Sequence, residues 1–163
     1  MALAKAERKK LQDIMDDPVK WAQAFLRAFD PIPKEMKPWT ARWYQVEMLR
    51  DKHTRKVYRC GRRIGKTETM VVEMLYLAFT KKNFRVLMAA PYENQIRNMF
   101  TRLNELIAES PLIKQAVVAS TKNPAKIEFA NGSMILGFTT GDDAASIRGQ
   151  RADLKNISTI LKK

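Results

Sequence analysis

Cysteine and histidine are nearly absent from this sequence, with one of each, Cys60 and His53. A single thiol excludes an internal disulfide, so the fold must rest on its apolar core, as in a reducing, intracellular setting. The one histidine, His53, reads as a surface residue at a helix end and not as a ligand. No apolar run approaches the roughly 18 residues that a membrane-spanning helix needs. The N-terminus, MALAKAERKK, lacks the apolar core of a secretion signal. Acids are also scarce: 17 against 30 lysines and arginines, for a net charge of +13.

What is present predicts one globular domain. The chain has 163 residues, 45% of them hydrophobic and 29% charged, enough to build a core. The positive excess favours a polyanion partner, nucleic acid first among them, although the charge is spread along the chain and also serves solubility.

The pattern divides the chain into a helical N-terminal segment and linker (1–38), an α/β unit (39–154) and a divergent tail (155–163). Residues 2–15 form a weak amphipathic helix. Asp17-Pro18 reads as an N-cap and first-turn proline of a second helix, with Ala22, Phe25, Leu26 and Phe29 on one face. Asp30-Pro31-Ile32-Pro33 ends it, and an extended linker runs to Trp39. Thr40 caps a third helix, to about Lys52. Lys56–Cys60 reads as a short strand, Thr67–Phe79 as a helix buried on several sides, and Arg85–Ala90 as a parallel strand covered on both faces. Glu93–Ala108 has the clearest helical period. Lys126–Ala130 and Ser133–Phe138 read as strands joined by Asn131-Gly132 in a type I′ turn. Ala152-Asp153-Leu154 begins a further strand. Strands alternating with helices imply an α/β fold around a mainly parallel sheet flanked by helices.

Cys60-Gly61-Arg62-Arg63-Ile64-Gly65-Lys66-Thr67 lies between the expected strand and the expected helix. That is the setting of the phosphate-binding loop of P-loop NTPases. Backbone N–H groups of such a loop wrap phosphate oxygens, and the helix N-terminus adds partial positive charge. Gly65 allows close approach, Lys66 reaches the β- and γ-phosphates, and the Thr67 hydroxyl can ligate Mg²⁺. The pattern is a variant of G-x-x-x-x-G-K-[ST], because Cys60 stands where the first glycine is usual. An ordinary strand-to-helix turn is the alternative.

The loop C-G-R-R-I-G-K-T resembles that of large terminase subunits, the DNA-packaging ATPases of tailed bacteriophages. Four further segments resemble that family in its order: Trp43-Tyr44-Gln45, Val86 to Gln95 (VLMAAPYENQ), Ile127 to Ile135 (IEFANGSMI) and Ser146 to Leu154 (SIRGQRADL). The resemblance spans roughly residues 20–154. It implies an ASCE, helicase-like ATPase that binds ATP and Mg²⁺ and drives double-stranded DNA into procapsids. It implies a homo-oligomeric ring, portal protein and small terminase subunit as partners, no membrane, and a location in the host cytoplasm at the portal vertex. Carried over, Gln45 reads adenine, or else faces solvent as a polar helix residue. Cys60, Gly61, Ile64, Gly65, Lys66 and Thr67 hold the nucleotide. Arg62 stands where the family carries a γ-phosphate sensor, with Arg63 as its rival; either could instead face solvent.

Lys81, Lys82 and Arg85 are candidates for a DNA contact or for a helix-dipole role. Arg148 and Arg151 could touch DNA or a neighbouring subunit, or be structural. After Leu154 the family continues with an apolar strand ending in Asp-Glu, the Walker B pair. Here the sequence reads KNISTILKK, with no acid after Asp153. Asp142-Asp143 are more in keeping with a turn than with catalysis. The expectation is an ATPase domain truncated at Walker B, without the nuclease domain and without significant hydrolysis. A related helicase or translocase, and a non-catalytic DNA- or partner-binding fragment, are the alternative readings.

Overall fold

A computed structural model describes residues 5–30, 32, 34–53, 55–139 and 152–157, with the backbone alone for 155–157. Helix α1 (Lys5–Asp16) buries none of its side chains, in keeping with a peripheral amphipathic helix. Helix α2 (Pro18–Phe25) starts as its sequence dictates. The Asp17 carboxylate accepts from the N–H groups of Val19 and Lys20, and Pro18 fills a position that needs no N–H. Burial alone would raise the Asp17 carboxyl, but those two donors and the Arg50 guanidinium outweigh it and hold it below its ordinary value.

Helix α2 ends at Phe25, four residues before the expected face runs out. Leu26 closes it, and β1 (Arg27–Asp30) then pairs antiparallel with β2 (Glu35–Pro38). Phe29 is therefore a half-exposed strand residue, and the expected linker contains a strand. The 3.6 period misled there because Leu26 is fully buried from a cap position, where its N–H bonds Ala22 and its carbonyl accepts from Trp39.

Helix α3 (Trp43–Arg50) begins at Arg42 rather than Thr40, and the Arg42 N–H is satisfied by the Gln45 side chain. Helix α4 (Lys66–Thr80) follows Gly65 and buries Thr69, Met70, Val71, Val72, Met74, Leu75 and Ala78, so it is wrapped on several sides as expected. Strand β3 (Arg85–Ala90) has its expected limits, and its residues 86–90 are all buried. Helix α5 (Glu93–Glu109) buries the periodic set Ile96, Met99, Phe100, Leu103, Leu106 and Ile107. Helix α6 (Pro111–Ala116) and strand β4 (Val117–Lys122) were not anticipated. Strands β5 (Ala125–Phe129) and β6 (Met134–Thr139) form the expected hairpin, and β7 (Leu154–Ile157) is the last strand described.

The main sheet has the order β4-β5-β6-β3-β7. β3 runs parallel to β6 and β7, whereas β4-β5 and β5-β6 are antiparallel. The sheet is thus mixed, not mainly parallel: the hairpin and β4 extend one side of a parallel centre. Lys56–Cys60 joins no ladder. Its ties run to helices instead, Lys56 pairing with Glu73 on α4 and the Tyr58 hydroxyl donating to the Met48 carbonyl at 3.1 Å. Val57 is left 96% exposed, so burial gives no reason for this segment to enter the sheet.

One core unites these layers. Trp21 and Leu26 of the N-terminal segment share it with α4, α5 and the sheet. Trp21 packs against Phe25, Tyr76 and Phe79 at centroid separations of 6.0, 5.6 and 5.6 Å. Gly137 lets α5 press onto β6, since a Cβ there would stand 2.6 Å from Phe100 and 2.7 Å from Ile96.

The hairpin turn is not type I′. Gly132 has φ +81, but Asn131 is not left-handed as that turn requires. Instead the Gly132 N–H bonds Phe129 O, and the Asn131 amide donates to the carbonyls of Ala78, Phe79 and Lys81 at 2.8–3.1 Å. A side chain from the sheet thereby caps the C-terminal end of α4, whose last carbonyls have no helical donors. Ser133 assists, its hydroxyl donating to Lys81 O and accepting from the Phe84 N–H.

Two outcomes follow from these contacts. Asn131→Asp keeps the shape but removes the donors and places a negative charge at a helix C-terminus; chemical denaturation should show a loss of about 2–4 kcal/mol. Asp17, lowered on folding, contributes stability present above its unfolded value near 3.8 and lost as pH falls through the lower folded value. The stability difference between wild type and Asp17→Asn should therefore hold steady above about pH 5 and shrink below pH 4.

Candidate functional site

Between Cys60 and α4 the backbone turns through two left-handed residues, Arg63 at φ 61 and Gly65 at φ 88. Gly65 is the N-cap of α4 and offers no side chain, so no cap bond closes the helix. The N–H groups of Lys66, Thr67 and Glu68 find no acceptor among the described residues. They carry the positive end of a 15-residue helix. Lys66 is half-buried beside them, while Arg62 and Arg63 are exposed; none of the three is ion-paired among the described residues. This donor set, amides plus unpaired cations, fits an anion.

Glu68 could spoil that field, since it lies in the first turn of α4. It is turned aside and neutralised. Arg102 of α5 grips it through two bonds, Nε to Oε2 at 2.6 Å and Nη2 to Oε1 at 2.8 Å, and the buried Trp39 donates Nε1–H to Oε1 at 3.0 Å. Arg102 also bonds Glu105. The bonds to Glu68 raise the Arg102 guanidinium above its ordinary value, against the opposing effect of burial.

Two neighbours on α3 hold the loop. The Tyr44 hydroxyl donates to Ile64 O, and Gln45 Nε2 donates to Gly65 O at 3.3 Å. Gln45 is 5% exposed, and its Oε1 accepts from the Arg42 N–H at 2.9 Å. Both ends of its amide thus bond within the protein, which differs from a solvent-facing amide. Gly65 has a second reason to lack a side chain: a Cβ would lie 3.0 Å from Gln45 Nε2. A cleft of about 450 Å³ runs along this face beside Trp43, Tyr44, Tyr58, Cys60 and Ile64. A second, of about 430 Å³, lies between the β1–β2 pair and α4, with Phe29, Lys37, Trp39 and Glu68 on its walls.

The remaining candidates disperse. Thr67 is exposed in the first turn of α4, and no cluster of three or more metal-ligating side chains occurs among the described residues. His53 is exposed and bonded to Asp51, as a helix-end surface residue would be. Lys81 stacks on the Phe84 ring at 4.6 Å, and Lys82 and Arg85 are exposed nearby. Gln95, at the start of α5, buries Oε1 without a partner. Asp142, Asp143, Arg148 and Arg151 lie outside the described residues. Sequence reasoning missed Tyr44, Glu68, Arg102 and Trp39 as supports of the loop. The acid after Gly-Lys-Thr was visible, but its partner lies 34 positions away.

A mixed α/β domain with helices flanking a five-stranded sheet is the class that these elements define. The chain has the fold of phage large terminase ATPase domains. It superposes on the large terminase ATPase domain of Thermus phage P74-26 with a TM-score of 0.63 and 19% identity, covering 73% of this chain and 53% of that one. A mutant of the same domain gives the same figures. The crystal structure of the HK97 bacteriophage large terminase matches with a TM-score of 0.68 and 12% identity, over 88% of this chain and 36% of that one. This chain therefore spans about half of the Thermus phage domain and about a third of the HK97 protein. No protein-family model and no curated protein matches the sequence.

The Glu68 pair sets an expectation. Arg102→Met leaves a partly buried carboxylate beside the loop, and thermal or denaturant unfolding should register a loss of about 2–3 kcal/mol. The double variant Glu68→Gln/Arg102→Met should recover part of it.

Proposed function

We propose that this chain is the ATP-binding part of a phage large terminase subunit, the motor that packages double-stranded DNA into procapsids. The observation that carries this reading is the start of α4: a glycine-capped helix whose first amides are unused, beside an unpaired Lys66, with the neighbouring acid locked away. The shared fold supports it. In this reading Cys60, Gly61, Ile64 and Gly65 supply the backbone cradle, and Lys66 holds phosphate oxygens. The Thr67 hydroxyl takes one Mg²⁺ position; the ion would supply charge neutralisation on the phosphates. Arg62, with Arg63 as the alternative, faces the terminal phosphate. Double-stranded DNA, portal protein, the small terminase subunit and further copies in a ring would be the partners, at the procapsid portal in the host cytoplasm.

Hydrolysis is a separate matter. Phosphoryl transfer needs a positioned base or water-orienting group. Among the described residues the acid that precedes β7 is Asp153, and its carboxylate accepts from the Arg85 N–H at 2.9 Å. Residues 154–163 carry no Asp or Glu. We infer that the 163-residue chain by itself binds nucleotide and turns over little of it.

Titration with Mg²⁺ and ATP tests the site. Wild type should bind, and Lys66→Ala should bind about ten- to a hundredfold more weakly, the loss of a charge-assisted contact. Phosphate release should stay at background for both. Indifference of binding to Lys66→Ala removes the site assignment; turnover that Lys66→Ala abolishes removes the inference about hydrolysis.

A further inference from the structure

We propose that Tyr44 and Gln45 are positioning residues for the phosphate loop, acting on any bound triphosphate whatever its base; the proposal rests on the nucleotide-site reading above. Two consecutive side chains on α3 donate to two consecutive carbonyls of the loop, Ile64 O and Gly65 O. A carbonyl fixed outward fixes the peptide plane, and so aims the following N–H the opposite way. Tyr44 and Gln45 thereby aim the amides of Gly65 and Lys66, two of the groups that would meet phosphate. The clamp is itself braced. Arg42 donates Nη1–H to the Tyr44 hydroxyl at 3.0 Å, and its backbone N–H to Gln45 Oε1 at 2.9 Å. Gly65 O also accepts from the Thr69 N–H at 3.0 Å and the Thr69 hydroxyl at 3.1 Å, so the Gln45 bond joins the loop to the first turn of α4.

Burial favours a positioning role over a base-reading one. At 5% exposure, with one amide N–H and one oxygen lone pair already bonded within the chain, Gln45 offers little surface to a base. A side chain that holds the backbone affects the phosphates and leaves the base unread. Preorganisation of this kind lowers the ordering cost of binding, and does so equally for every ligand that uses the loop.

The test uses Tyr44→Phe, which removes one oxygen, and Gln45→Glu, which keeps the acceptor for Arg42 but loses the donor to Gly65. Calorimetry with Mg²⁺ and ATP, GTP or inorganic tripolyphosphate should show each variant weakened about three- to tenfold, by the same factor for all three ligands. Hydrogen exchange on the ligand-free protein should rise at Thr69, whose N–H bonds the clamped Gly65 carbonyl, and stay unchanged in α5. A loss confined to ATP assigns Gln45 to the base and overturns the proposal, as does undiminished binding of all three. Exchange raised throughout the chain marks a general loss of stability and also overturns it. If wild type binds none of the ligands, the nucleotide-site reading falls, and local exchange at Thr69 still decides whether the clamp exists.

Discussion

The start of α4 depends on one arrangement: three successive N–H groups and a lysine have no bonding partner among the described residues. Left alone, a helix end with those properties frays or recruits the nearest acid. Glu68 is that acid, and Arg102 and Trp39 hold it away. The loop carbonyls, which could fold back to quench the same donors, are drawn off by Tyr44 and Gln45. Elements far apart in the chain thus act to keep one short stretch of backbone unsatisfied.

The opposite end of α4 is handled in the reverse manner. There the carbonyls are closed by Asn131, reaching across from the hairpin. Gly132 is needed because a Cβ at its φ of +81 would stand 2.1 Å from the Asn83 side chain. The Asn-Gly-Ser sequence therefore serves two structures together, turning β5 into β6 and finishing a helix more than fifty residues earlier.

Elements with a strong period of their own were legible in the sequence. α5 shows its buried stripe at spacings of three and four, and β3 reads as an unbroken apolar run, so both were found with nearly their observed limits. The loop and the two hairpin strands were legible because glycine, asparagine and the Gly-Lys-Thr pattern punctuate them. What escaped depends on contacts distant in sequence. Lys56–Cys60 reads as a strand locally, but strands need ladders, and its bonds go to α3 and α4. The β1–β2 pair was hidden by prolines that read as punctuation. The type I′ expectation failed because the Asn131 side chain had tertiary work, which dictated a different backbone. Gln45 was legible as important, but its burial and both of its partners were not.

The Asn131 cap has a mechanical consequence. A 15-residue helix is a rod about 22 Å long, stiff along its axis because every turn is internally bonded. Its far end is tied to the β5–β6 turn through the single Asn131 amide nitrogen, which limits axial play. A displacement at the Arg63–Gly65 turn would arrive at the β5–β6 corner with little slack, and a push on that corner would travel back along the same shaft. The helix is a lever whose fulcrum is an asparagine.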